Sequence, residues 1–107
     1  MRYILNSAVI TTAGTYEYQL ITPEEAKKWL EEGDFVSTIG YQETADALEV
    51  ITGVKVDVNR QQIRMREGDE ALVFRLTRRV ENPNDKGTLS KEFVLNNCEI
   101  GILKKVR

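Results

Sequence analysis

Apolar residues along this chain change their period from segment to segment, and each change marks an expected element. Arg2–Ile10 carries Tyr3, Ile4, Leu5, Val9 and Ile10 and predicts a buried first strand, broken near its end by Asn6-Ser7. Thr11–Thr15, with Gly14, reads as a loop, and Tyr16–Ile21 as a short edge strand with Tyr16, Tyr18 and Leu20 alternating. The period then lengthens. Thr22 followed by Glu25 makes a capping box, and Pro23 takes the first turn, where a missing amide costs nothing. Ala26, Trp29 and Leu30 form the inner face of this helix and Gly33 ends it. A second helix starts near Tyr41, with Thr44, Ala45, Leu48, Ile51 and Thr52 on one face and Gly53 as its stop.

Beyond Gly53, Val54, Val56 and Val58 alternate with Lys55 and Asp57, the pattern of a half-buried strand. Gln61–Met65 and Ala71–Thr77, joined by Glu67-Gly68-Asp69, predict a hairpin. Glu81–Gly87 is rich in turn residues, Ser90–Leu95 predicts a short helix, and Cys98–Val106 a last strand. This order predicts an α/β fold, a mixed β-sheet flanked by α-helices in a single domain spanning residues 1–107.

Composition narrows the function classes. A chain of 107 residues with 41% hydrophobic content fits one domain with one core. A net charge of −2 and a pI of about 5.2 argue against long nucleic acid or an anionic membrane as partner. No apolar run approaches the roughly 20 residues that span a bilayer, and Asn6 and Ser7 interrupt what would be the core of a signal peptide. The lone Cys98 fits a reducing, cytoplasmic setting. There is no histidine, which removes the commonest general acid or base near neutral pH and the commonest metal ligand. Neither a metal nor a cofactor is expected.

Two stretches carry candidate chemistry. Ser37-Thr38-Ile39-Gly40 is small and precedes a helix whose first amides, at Gln42–Thr44, suit an anion such as phosphate; an ordinary loop-to-helix joint has the same composition. Six of the eight arginines lie between Arg60 and Arg79. Strand parity would place Arg60, Arg64 and Arg66 on one side, opposite Ile63 and Met65, with Arg75, Thr77 and Arg79 facing out from the second arm of the hairpin. Arginine suits bidentate recognition of phosphate or carboxylate; a water-facing hairpin balanced by nearby acids fits the pattern as well.

LNSAVITT, FVSTIGYQETADAL, VNRQQIRM and EGDEALVFRLTRR, followed by a short helix and strand, together resemble the viral type III anti-CRISPR ring nucleases over nearly the whole chain. The resemblance implies a homodimer in the host cytoplasm that binds cyclic tetra-adenylate, the second messenger of type III CRISPR systems, across its two-fold axis. It also implies cleavage without metal in some members. Carried over by position, Asn6 and Ser7 match first-strand ligand contacts, Gly40 and Thr44 the loop and helix start that hold the ligand, Arg60 the arginine of an Asn-Arg pair, and Arg79 the active-site arginine. Tyr41 stands where the family usually has a histidine acting as general acid. Glu43 stands where a small residue is usual, and the turn after Arg79 is expanded to RVENPNDKG, so the family's carboxylate is matched by Glu81, by Asp85 or by neither.

In such a reaction a ribose 2′-hydroxyl attacks its own phosphate in line while the 5′-oxygen leaves, and the protein supplies geometry, charge and a proton. Arg79 would stabilise the phosphorane-like charge. A histidine with a pKa near 6.5 suits proton donation at neutral pH, and a free tyrosine near 10 suits it less. The expected function is therefore a slow ring nuclease or a sponge for cyclic tetra-adenylate, with Tyr41 donating a hydrogen bond, stacking on adenine or simply packing against the helix start. The alternatives are a nucleic-acid-binding module and an interaction domain with a decayed ligand site.

Overall fold

Residues 71–74 are all apolar, so a strand here has no face left for water and belongs inside a sheet covered on both sides. A computed structural model of the protein, which describes residues 1–77 and 90–107, places it there. The strands are β1 (Arg2–Leu5), β2 (Tyr16–Leu20), β3 (Val36–Ser37), β4 (Glu70–Leu76) and β5 (Cys98–Lys105), and the helices α1 (Pro23–Glu31), α2 (Gln42–Thr52) and α3 (Lys91–Asn96). They form one mixed sheet of order β2-β5-β4-β1-β3. β1 runs parallel to β4 and to β3, with Ile4 opposite Leu72 and Ser37, while β5 is antiparallel to β4 and β2.

Leu72 and Phe74 point from β4 into the larger core, where they meet Trp29 and Leu30 of α1, Leu48 and Ile51 of α2 and Val94 of α3. All three helices therefore pack on one face. Ala71 and Val73 point the other way, into a smaller core with Leu5 and Leu103 that Met65 and Ile63 help to close. The helix signals act as read. Thr22 Oγ1 accepts from the Glu25 amide (3.2 Å), and Glu25 Oε1 accepts from the Thr22 amide (3.1 Å). Gly53 ends α2 with φ of 73°, a left-handed conformation that glycine takes without steric cost. Trp29 belongs to the core: its indole donates to Glu70 Oε1 (2.8 Å), and the Arg2 guanidinium carbon lies 3.9 Å from the ring centroid.

Three strand expectations fail, each for lack of a ladder. The first strand stops at Leu5 rather than Ile10: pairing with β4 ends there, β3 pairs only Tyr3 and Ile4, and Val9 and Ile10 are exposed, at 44% and 67%. The alternating Val54, Val56 and Val58 reflect burial without strand pairing: Val56 is buried and Val58 exposed. The hairpin does not form. β4 is paired along one edge by β1 over residues 70–73 and along the other by β5 over residues 70–76, so residues 61–65 have no ladder position to take. The turn between the two arms survives: Gly68 has φ of 90°, and Asp69 Oδ2 accepts from the Arg66 amide (2.9 Å).

Tyr18 of β2 lies across β5 at Gly101, where an added Cβ would sit 2.5 Å from the ring. Its hydroxyl donates to Glu99 Oε2 (2.9 Å), and the other Glu99 oxygen lies 3.5 Å from Arg75. Burial, then the bond to Glu99 and its charge, push the Tyr18 phenol up to about 12.

Gly101→Ala is expected to cost about 1–3 kcal/mol in urea unfolding, the range for overpacking, and to become neutral or stabilising in a Tyr18→Ala background. Between its ordinary value of 10 and about 12 the Tyr18 phenol ionises only in the unfolded chain, so stability falls as pH rises through that window. Tyr18→Phe is expected to remove this component of the alkaline loss, as read by unfolding at a series of pH values.

Candidate ligand-binding site

Parallel strands end on the same side of a sheet, so the residues following β1 and β3 emerge together, at the kind of edge where open α/β sheets bind ligands. Asn6 follows β1, and Thr38 to Tyr41 follow β3 and lead into α2. Thr38 ties the two, its amide and hydroxyl both donating to the Ile4 carbonyl (3.0 and 2.7 Å). A third wall arrives with Asn59, whose amide donates to the Ile39 carbonyl (2.9 Å) and whose side chain donates to the Ser37 carbonyl (3.0 Å). Gln61 reaches the same Ser37 carbonyl (3.4 Å).

These walls enclose an open cavity of about 980 Å³. Asn6, Val9 and Thr11 line it from the loop after β1, Thr38, Gly40 and Tyr41 from the entry to α2, and residues 60–64 from the third wall. It contains two arginines, Arg60 and Arg64, and no carboxylate among its described lining residues. Neither arginine lies within salt-bridge distance of an acid among the described residues. The Arg60 guanidinium carbon sits 5.8 Å from the centroid of the Tyr41 ring, and its stem runs past Gly40, where a Cβ would be 3.2 Å from Arg60 Cγ and Cδ. Tyr41 is also the N-cap of α2 but makes no side-chain capping bond, so the positive end of the helix remains for another acceptor. Two cations and the polar side chains of Asn6, Thr11, Thr38, Gln61 and Gln62 suit a ligand bearing more than one phosphate.

Of the expected ligand-binding residues, Asn6, Gly40, Tyr41 and Arg60 converge here, with Tyr41 52% exposed. Ser7 is half-buried beside Asn6 but does not line the cavity, and Thr44 is buried on the inner face of α2. Arg79, Glu81 and Asp85 lie outside the described residues. Arg75 does not line the cavity with Arg60 and Arg64; its guanidinium lies 3.5 Å from Glu99. Ser37, Thr38 and Ile39 are buried and hydrogen-bonded rather than loose, because β3 and the Asn59 contacts hold them. Glu43 is not a lining residue. Sequence reasoning missed Gln61, Gln62 and Thr11; the polar run NRQQ, where apolar alternation stops, was the available signal for the first two. Among the described residues no cluster of His, Cys, Asp and Glu could hold a metal ion, and no helix is long and apolar enough to cross a membrane.

A family model described as STIV B116-like matches residues 2–100. The chain belongs to this family. Among its relatives, uncharacterized protein 26 of Sulfolobus islandicus filamentous virus (isolate Iceland/Hveragerdi) is 40% identical over 85 residues, 76% of this chain and 72% of the relative. Uncharacterized protein ORF117 of Acidianus two-tailed virus is 35% identical over 83 residues, 73% and 71% of the two chains. Uncharacterized protein YddF of Bacillus subtilis (strain 168) is 36% identical over 77 residues, 70% and 71%. Among solved structures, B116 of Sulfolobus turreted icosahedral virus superposes with a TM-score of 0.80 over 96% of this chain and 97% of that one, at 21% identity. At that identity the match shows the fold, so the STIV B116-like family shares the mixed sheet and three helices of this chain.

Asn59→Ala removes one bond that holds the third wall, and is expected to lower stability by about 0.5–1.5 kcal/mol, the usual net worth of such a bond. Urea unfolding measures it.

Proposed function

We propose that this member of the STIV B116-like family binds cyclic tetra-adenylate as a homodimer and antagonises type III CRISPR signalling, either as a slow metal-independent ring nuclease or as a sponge. The observation that carries the reading is the cavity: two arginines, no carboxylate among its described lining residues, and the start of α2, on the edge where β1 and β3 end. Asn6, Gly40, Tyr41 and Arg60, four of the positions expected at the ligand, line that one cavity although they come from three separate stretches of the chain. A ring with four phosphates and its own two-fold symmetry suits a site built from two copies of one surface. The exposed Val9 and Ile10 stand at its rim as apolar surface for the second copy. Viral relatives accord with an antagonist of host defence.

Cleavage is the weaker half of this function. The substrate supplies the nucleophile, Arg60 and Arg64 supply positive charge around the phosphates, and the resemblance assigns the active-site arginine to Arg79. Tyr41 occupies the proton donor's place, beside Arg60.

Incubation with cyclic tetra-adenylate, read by mass spectrometry and by equilibrium binding, separates the readings. Retention with slow or no cleavage near neutral pH is expected; absence of binding would favour a nucleic-acid-binding module or an interaction domain instead. Arg60→Ala is expected to weaken binding about tenfold or more, the loss of one charge-assisted bond. Tyr41→His is expected to raise single-turnover cleavage by up to about 10²-fold, the lower end of what a placed general acid gives. That gain fades as pH rises past about 6.5, since only imidazolium donates.

A further inference from the structure

The third wall of the cavity is an extended segment with no strand ladder, yet all five of residues 60–64 line the site. Asn59 fastens one end to Ser37 and Ile39. The other end is fastened at Met65, by the opposite wall. Met65 is buried, and its amide donates to Thr11 Oγ1 (2.8 Å) while its carbonyl accepts from Thr12 Oγ1 (2.7 Å). Two successive threonines of the loop that carries Asn6 and Val9 thus satisfy both polar groups of one residue on the arginine segment.

The Thr12 hydroxyl is itself held. Lys105, near the end of β5, donates from Nζ to Thr12 Oγ1 (2.6 Å) and reaches the Met65 carbonyl (3.4 Å). Tyr16 clasps the Thr12 backbone, its hydroxyl donating to the Thr12 carbonyl (2.8 Å) and accepting from the Thr12 amide (3.2 Å). With Lys105 donating into it, the Thr12 oxygen is left to donate its own proton to Met65, so the chain of bonds has one direction. The ammonium comes from a rigid central strand, while both segments it joins lack ladders.

We infer that Lys105 and Thr12 form a lock that fixes the two walls of the cavity against each other, and that both are positioning residues for the ligand without touching it. A site whose walls move independently must order them on binding, and a locked one need not. The ligand named for the site rests on the function proposed above; the lock is a property of the free protein.

Amide hydrogen exchange on the free protein, with Thr12→Val, Thr12→Ser and Lys105→Met beside the wild type, tests it. Thr12→Val and Lys105→Met are expected to speed exchange of the Met65 amide, which its bond to Thr11 protects, by about tenfold, as for a lost hydrogen bond to a charged group, with the amides of β4 and β5 unchanged. Thr12→Ser keeps the hydroxyl and is expected to behave as wild type. Affinity for cyclic tetra-adenylate is expected to fall by about three- to tenfold in the two unlocking variants through lost preorganisation. Unchanged exchange, or faster exchange throughout the sheet, overturns the lock. Faster local exchange with unchanged affinity overturns the positioning role. If the wild type binds no cyclic tetra-adenylate, the ligand assignment falls, exchange alone still decides the lock, and inorganic phosphate serves as the probe of the site.

Discussion

β4 is covered on both faces and, over residues 70–73, paired along both edges, and the site depends on that. Its inner residues alternate between a core under three helices and a second core on the other face. Its edges are taken by β1 and β5. The segment before it cannot pair and crosses the second face as irregular chain, burying Met65 and part of Ile63 while Arg60 and Arg64 are left outward. The inward and outward parity of that segment survives without a strand, because burial rather than hydrogen bonding selects it. An unpaired polar segment then becomes a wall of the cavity.

This constraint also explains what could be read from the sequence. Local signals were legible: the capping box at Thr22 and Glu25, the stop at Gly53, the short helix within a residue of Ser90–Leu95, and the extent of β5. Each depends on residues within one turn or one strand. Pairing was not legible, because whether residues 61–65 find a ladder depends on which strands reach β4 first in space. Val54 and Val56 carry the period of a strand for the same reason that Ile63 and Met65 do, since one side of the chain is covered, while Val58 continues the period exposed.

The candidate site divides along the same line. Asn6, Gly40, Tyr41 and Arg60 were legible as members of separate motifs, and the parallel register of β1 and β3 brings the first three together. Arg60 joins them through the Asn59 contacts, which no spacing in the chain encodes. Thr44 was placed at the ligand because it opens a helix, but the apolar face of α2 claims it for the interior. Gln61 and Gln62 line the cavity without belonging to any motif. Tyr41 lines the cavity beside Arg60, at the position where the resemblance to ring nucleases leads one to expect a histidine.

The central claim is that a phosphate-bearing ring sits where β1 and β3 end, against Arg60 and Arg64. An amide chemical-shift titration of the wild-type protein with cyclic tetra-adenylate tests it most directly. The account predicts saturable shifts concentrated at Asn6, Gly40 to Gln42 and residues 60–64, with little change on β2 or α1. Shifts confined to the groove between α1 and β2, or none at ligand concentrations well above those of the protein, would contradict it.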